Sequence, residues 1–483
     1  MIGTILRYRS VSRKRRGQIY DQQVRENRIQ RPDVPTGPGQ QLAACREAAD
    51  RGKSELVRTD PNLTPMSSNA TSQPRRPALA GLRVLDFSRV LAGPACAQIL
   101  ADLGADVVKI ERPGVGDDTR PWGPPWLPDA RGEATRDSTY FASANRNKRS
   151  IAIDLANDAG AAIARRLAQQ ADVLIENYKV GDLARRGLDY AALCALNPRL
   201  VYCSITGFGQ TGPLRERPGY DYIFQGVGGL MSVTGHPDGV PGGGPMKIGA
   251  SIVDLSTGLY AGIAILAALR ERDASGLGQY IDMALFDTVA ALSPHQAAAY
   301  FQTGKVPVRA GTSSAGIMMP YETFRCADGH LIVACGNNSQ WQALCAALVR
   351  DDLASDPRLA TPSGRQINRD FALDELRKTF AAGKVDDLVA KLDARGVPNG
   401  RINDLKQVFE MEQARERGLR VELERSDGTK VAAVGNPIRL SATPVEYRSA
   451  APKLGEHTAV VISEWLGAGS DEIERLRAAG ALG

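Results

Sequence analysis

Histidine is scarce in this 483-residue chain. The four present (His236, His295, His330 and His457) are too far apart for metal-ligand spacing, so no metal is expected. The seven cysteines, at 45, 96, 194, 203, 326, 335 and 345, include no CxxC pair. An odd, scattered set without a secretory signal points to reduced thiols and a cytoplasmic location. No apolar run approaches the roughly 20 residues that span a bilayer, so no transmembrane helix is expected. A dinucleotide loop is missing too. Leu91-Ala92-Gly93-Pro94-Ala95 offers one glycine and then a proline. The G-x-G-x-x-G turn that lets backbone approach a pyrophosphate is absent, and no NAD site is expected. The helix N-terminus there can still attract a phosphate-bearing ligand.

Basic charge is missing from most of the chain. Of the net +6, residues 1–77 hold 15 Lys and Arg against 7 Asp and Glu, which is +8 and leaves −2 for the remainder. Such a body is not expected to bind nucleic acid. The first 77 residues are polar, Arg-rich and Pro-punctuated, the composition of a disordered N-terminal extension. Met66 opens MSSNATSQPRRP, which reads as a translation start, so residues 1–65 read as an over-extended upstream segment. The other reading is a mitochondrial transit peptide, against which the acidic residues count.

What is there suits an α/β enzyme. Hydrophobic residues make up 43% and charged residues 24%, while 49 Gly and 28 Pro supply many tight βα connections. Residues 83–87 (RVLDF) read as a strand, 95–103 as a helix capped by Gly104, and 105–111 (ADVVKIE) as a second strand. The unit repeats as strand 150–155, helix 159–170 and strand 171–176 (ADVLIE), with another strand at 200–205. This alternation predicts a parallel sheet covered on both faces. A helix follows over 252–269, then a strand-like run at 279–284 and a helix over 287–300. Residues 321–326 and 330–335 flank Ala327-Asp328-Gly329, a hairpin signal, and helices are expected at 339–348 and 371–379. The expected organisation is a large α/β domain over 78–275, linker helices over 276–314, a small α+β domain over 315–425, and a return to the large domain over 426–483.

The segments DFSRVLAGPACAQILADLGADVVKIERPGVGDDTR, NRNKRSIAIDL, ADVLIENY, NPRLVYCSITGFGQTGP, YDYIFQGVGGLMSVTG, GQYIDMALFD and LGEHT stand in one order. In that order they closely resemble the class III CoA-transferase family, which includes formyl-CoA and carnitine CoA-transferases. The resemblance runs from residue 79 to the C-terminus. It implies a Rossmann-like large domain, a smaller domain and two subunits interlocked as a homodimer. It also implies an acyl-CoA and a small carboxylic acid as partners, with no tightly bound cofactor.

Read alone, Asp254 in Asp254-Leu255-Ser256-Thr257-Gly258 is a first-turn helix acid. The resemblance makes it the nucleophile, a carboxylate that takes the acyl group from a thioester as an anhydride. The helix N-terminus is expected to hold that carboxylate ionised. The resemblance also implies CoA contacts at Leu91, Ala92, Arg112, Ile153, Asp154, Leu155, Ala156, Asn177, Tyr178, Lys179, Arg185, Pro218, Gly219, Tyr220 and Asp221. Of these, Arg112 and Arg185 suit the phosphates best, because a planar guanidinium grips phosphate bidentately. The basic run NRNKRS at 145–150 reads either as a further phosphate contact or as a solvated loop.

The α-methylacyl-CoA racemases of the same superfamily, the alternative reading, use a His-Asp pair where this chain has Tyr220-Asp221. A tyrosine, with a pKa of about 10, is a poor base at neutral pH. The formyl-CoA transferases close a run of glycines over oxalate, and the corresponding loop here, 311–316 (GTSSAG), lacks that run. MPYETFRCADGHLIVACGNNSQW and VPNGRINDLKQVF look most like the succinate–hydroxymethylglutarate (glutarate) branch. Succinyl-CoA is therefore the expected donor and a short dicarboxylate the expected acceptor.

Overall fold

The computed structural model describes residues 76–313 and 318–483. The expected extension, apart from its last two residues, and part of the 311–316 loop lie outside the described residues.

The first eight strands are β1 (Arg83–Asp86), β2 (Asp106–Glu111), β3 (Trp126–Pro128), β4 (Ala134–Ser138), β5 (Lys148–Ala152), β6 (Val173–Glu176), β7 (Val201–Thr206) and β8 (Tyr280–Ala284). Six of them form one parallel sheet in the order β5-β2-β1-β6-β7-β8. Counted within that sheet alone, the order is 3-2-1-4-5-6, that of a doubly wound open sheet. Successive side chains of a strand point to opposite faces. In β6, Val173 and Ile175 enter one core and Leu174 the other; Val84 and Leu85 of β1 divide the same way. Both faces are therefore apolar and both are covered, as parallel sheets require.

Four helices matter for the site: α1 (Ala92–Asp102), α2 (Asp158–Gln169), α3 (Asp221–Val227) and α4 (Ile252–Ser275). Helix α2 covers one face, sharing a core with Val461, Ile462 and Trp465 of the late helix Thr458–Leu466. Helices α1 and α4 cover the other, where Ala97 and Leu100 meet Ile265. The chain end returns to the sheet edge, with Leu482 bridging Ile153. A third core gathers Phe324, Leu331, Val333, Trp341, Leu376 and Phe380 around a small antiparallel sheet, β9 (Tyr321–Arg325), β10 (His330–Ala334) and β11 (Asn399–Arg401). The hairpin of β12 (Arg420–Glu424) and β13 (Lys430–Val434) stands beside it in sequence.

Several expectations need correcting. The segment read as linker helices, 276–314, first supplies β8, the edge strand of the large sheet. The single helix expected over 287–300 is two, Leu285–Ala291 and Pro294–Thr303. Pro294 lacks an N–H and disfavours helical backbone before it, so it can only begin the second. The β3–β4 hairpin had no periodic signal to announce it. Helix α4 is long and apolar enough, by length and composition, to cross a membrane. It runs past the expected end at 269 because the charged Arg270-Glu271-Arg272-Asp273, which ends the apolar period, continues the helix as far as Ser275. In the structure its inner face packs on α1 and the sheet.

The run at 145–150 spends its charges on protein carboxylates, Arg146 and Lys148 in the interior and the partly exposed Arg149 on Asp106 and Glu464. The Arg146 guanidinium bonds Asp102 at 2.6 Å. Lys148, fully buried, donates to Asp86 at 2.9 Å, to the Pro94 carbonyl at 2.9 Å and to Asn145 Oδ1 at 2.8 Å. Lys109 completes this floor, bonding Asp117 at 2.9 Å and the Ser88 carbonyl at 2.6 Å. These ion pairs fix the turn 87–92 from below.

Candidate active site

In an open doubly wound sheet, loops leaving adjacent strands in opposite directions open a crevice beyond the carboxyl ends. Here that point lies between β1 and β6. The loop after β1 carries Arg89 to Ala92, and the loop after β6 carries Asn177 to Val180. Both line a cavity of about 270 Å³ that also contains Asp254, Pro218, Gly219 and Tyr220. A second cavity, about 200 Å³, lies beyond the ends of β2 and β5 and is lined by Arg112, Ile153, Asp154, Leu155, Ala156 and Arg186. Arg89, Asp118 and Tyr178 belong to both linings, so the two form one groove with a neck.

Asp254 sits in the first turn of α4, and the glycine of its motif explains how it gets there. A Cβ on Gly258 would stand 2.6 Å from the Ala92 carbonyl oxygen. Only glycine lets α4 approach α1 this closely, which brings the Asp254 turn against Leu91 and Ala92. The free N–H groups of that turn are taken by another acid. Asp221 Oδ1 accepts from the Val253 N–H at 2.7 Å and from the Asp254 N–H at 3.1 Å. Its Oδ2 accepts from Gln225 at 2.7 Å.

Asp221 thus lies behind the cavity wall as a helix cap, buried, and does not line the groove. Its effect on Asp254 corrects the sequence expectation. Burial, and after it the Asp221 charge, push the Asp254 carboxyl up to about 7. The helix end does not hold it fully ionised, because a second carboxylate has already taken that end. Tyr140, which no motif signalled, stands beside the same pair: burial pushes its phenol up, and the charges of Asp254 and Asp221 add to this.

Since the carboxylate and not the acid attacks, kcat/KM should rise with pH through about 7 and level off above it. In Asp221→Asn the amide oxygen still accepts both backbone N–H groups, but the negative charge is gone. The rise should then move to lower pH. An unmoved pH profile would remove Asp221 from this account.

Most residues implied by resemblance therefore meet in the groove. Asp221, behind the wall, and Arg185 are the exceptions. Arg185 is turned away altogether. It pairs with Asp182 on the exposed side of its turn, and its neighbour Arg186 faces the cavity instead. Asn177 lines the groove, but its side chain serves the backbone. Its Oδ1 accepts from the Arg89 N–H at 2.8 Å and its Nδ2 donates to the Arg89 carbonyl at 2.7 Å. Arg89, Asp118 and Arg186 were not singled out from sequence, although Arg89 stands two residues before Leu91 in a segment that was.

A doubly wound sheet with an arginine-bearing cavity, lined by Arg89, Arg112 and Arg186, joined to a pocket holding one half-buried aspartate fits an acyl-CoA-handling transferase. The chain belongs to the CoA-transferase family III, whose family model matches residues 79–458. It is 46% identical to the succinate–glutarate CoA-transferase of Agrobacterium fabrum, over 81% of this chain and 96% of that protein. It is 38% identical to the human succinyl-CoA:glutarate CoA-transferase, over 84% of this chain and 90% of that one. A crystal structure of a CAIB/BAIF family protein from Brucella suis superposes with a TM-score of 0.73 at 45% identity. That match covers 81% of this chain and all of the other.

Proposed function

We propose that this CoA-transferase moves CoA from succinyl-CoA to a short dicarboxylic acid such as glutarate, through an acyl anhydride on Asp254. The observation that carries the mechanism is the half-buried Asp254 carboxylate in one cavity of a groove whose adjoining cavity is lined by Arg112 and Arg186. The Asp254 carboxylate attacks the thioester carbonyl, the C–S bond breaks and CoA leaves as its thiolate. The acceptor carboxylate then attacks the Asp254 carbonyl, releasing succinate and leaving the acceptor's own acyl group on the aspartate. The waiting thiolate attacks that acyl carbonyl, which frees the product thioester and restores Asp254. No net bond energy is spent, so no nucleotide triphosphate is required. A carboxyl held near 7 in a desolvated pocket is a more basic, better nucleophile than a solvated one.

The names of the two relatives support the substrate pair. The homodimer implied by the resemblance has support in α4, where Leu255, Leu259, Ile263 and Leu266 form an exposed apolar stripe at helical spacing.

The test is to supply succinyl-CoA with a panel of C4–C6 acids and identify the CoA products by mass spectrometry. Glutaryl-CoA is expected among the fastest products. Absence of exchange with every dicarboxylate would end the substrate assignment.

A further inference from the structure

The neck of the groove is built around Arg89, and the construction is unusually determined. Asn177 clamps both backbone polar groups of Arg89. The next residue, Val90, is held at a φ of 71°, a left-handed conformation that a β-branched side chain rarely adopts. Its N–H reaches Asp117, itself fixed on the buried Lys109. Strain of this kind persists only where the surroundings impose it, and it gathers at sites that aim a group. Here the aimed group is the Arg89 guanidinium. It lies over the Tyr178 ring at 4.9 Å from its centroid, with Nη1 3.0 Å from Asp118. Its Nε–H has no partner among the described residues. Arg112 and Arg186 line the adjoining cavity and pair with no carboxylate among the described residues, Arg186 Nη1 reaching only the Asp182 carbonyl at 3.5 Å.

We propose that Arg89 is a positioning residue that grips the diphosphate of the CoA thioester at the neck, with Tyr178 and Asp118 holding its fork ready. This rests on the thioester lying along the groove as described above. Arg89 fixes the depth to which the pantetheine arm enters, and so where the thioester carbonyl stands relative to Asp254.

The experiment compares Arg89→Met and Arg89→Lys with two donors, succinyl-CoA and succinyl-pantetheine, which lacks the diphosphate. Losing one bidentate charge-assisted contact should lower kcat/KM for succinyl-CoA by about 10- to 100-fold in Arg89→Met. The value for succinyl-pantetheine should stay within about twofold. Arg89→Lys, which keeps the charge, should recover part of the loss and serves if the methionine variant folds poorly. Equal losses with both donors would overturn the proposal, as would no loss with either. Calorimetric titration with free CoA repeats the comparison without any acyl group. A failure of the succinate assignment leaves that result standing, whereas unchanged CoA binding in Arg89→Met overturns the role of Arg89.

Discussion

Asp254→Asn should fold, bind CoA and transfer almost none of it, with kcat lowered at least ~10³-fold. The amide keeps the size and shape of the side chain but cannot form the anhydride, so the loss isolates covalent catalysis from binding. Hydroxylamine added during turnover should label residue 254 of the wild type as its hydroxamate and leave the variant unlabelled. Exchange at the wild-type rate in Asp254→Asn would end the mechanism.

The same substitution should stabilise the protein, and the sign follows from the carboxyl's raised position. Folding lifts Asp254 from its ordinary 3.8 to about 7, so the folded state binds the proton more tightly than the unfolded chain. Its contribution to stability therefore falls as pH rises from about 3.8 to about 7, and the full cost remains above that. An asparagine carries no such cost. At pH 8 the variant should be more stable by about 1–2 kcal/mol, discounted for partial exposure, and the gain should vanish below pH 4. Melting temperatures across that range check it. A nucleophile desolvated enough to be reactive costs the fold some stability.

Lys148→Met should cost about 3–5 kcal/mol, the usual penalty for leaving a buried charge without its partner. Against a net stability of about 5–15 kcal/mol this is a large fraction. Lys148 is fully enclosed and meets Asp86, the Pro94 carbonyl and Asn145. Burial pushes its ammonium down to about 8 even against the pull of Asp86, so desolvation is the larger effect there. Removing the lysine leaves Asp86 charged under the turn that carries Arg89 and Leu91. Adding Asp86→Asn should recover part of the loss, because a neutral amide no longer needs the counter-charge. Urea titrations of both variants decide it. A single variant within about 1 kcal/mol of the wild type would show that the pair is dispensable.

The sequence by itself determined the alternation of strands and helices, because period, glycine and proline act over a few residues. Read alone it made Asp254 only a first-turn helix acid. The resemblance carried by its motifs in order singled that residue out as the nucleophile, and the structure then explained the Gly258 of that motif by the close approach at Ala92. The sequence could not tell which charges face a ligand. Arg146 and Lys148 read as candidate phosphate contacts and are spent on Asp102 and Asp86. Arg186 enters the groove where Arg185 was expected to serve. Nor could it give the ionisation of Asp254, which depends on the Asp221 charge and on exclusion of water. Only the tertiary structure decided these points, because desolvation and charge coupling act through space between residues far apart in the chain, and pattern along the chain does not measure distance.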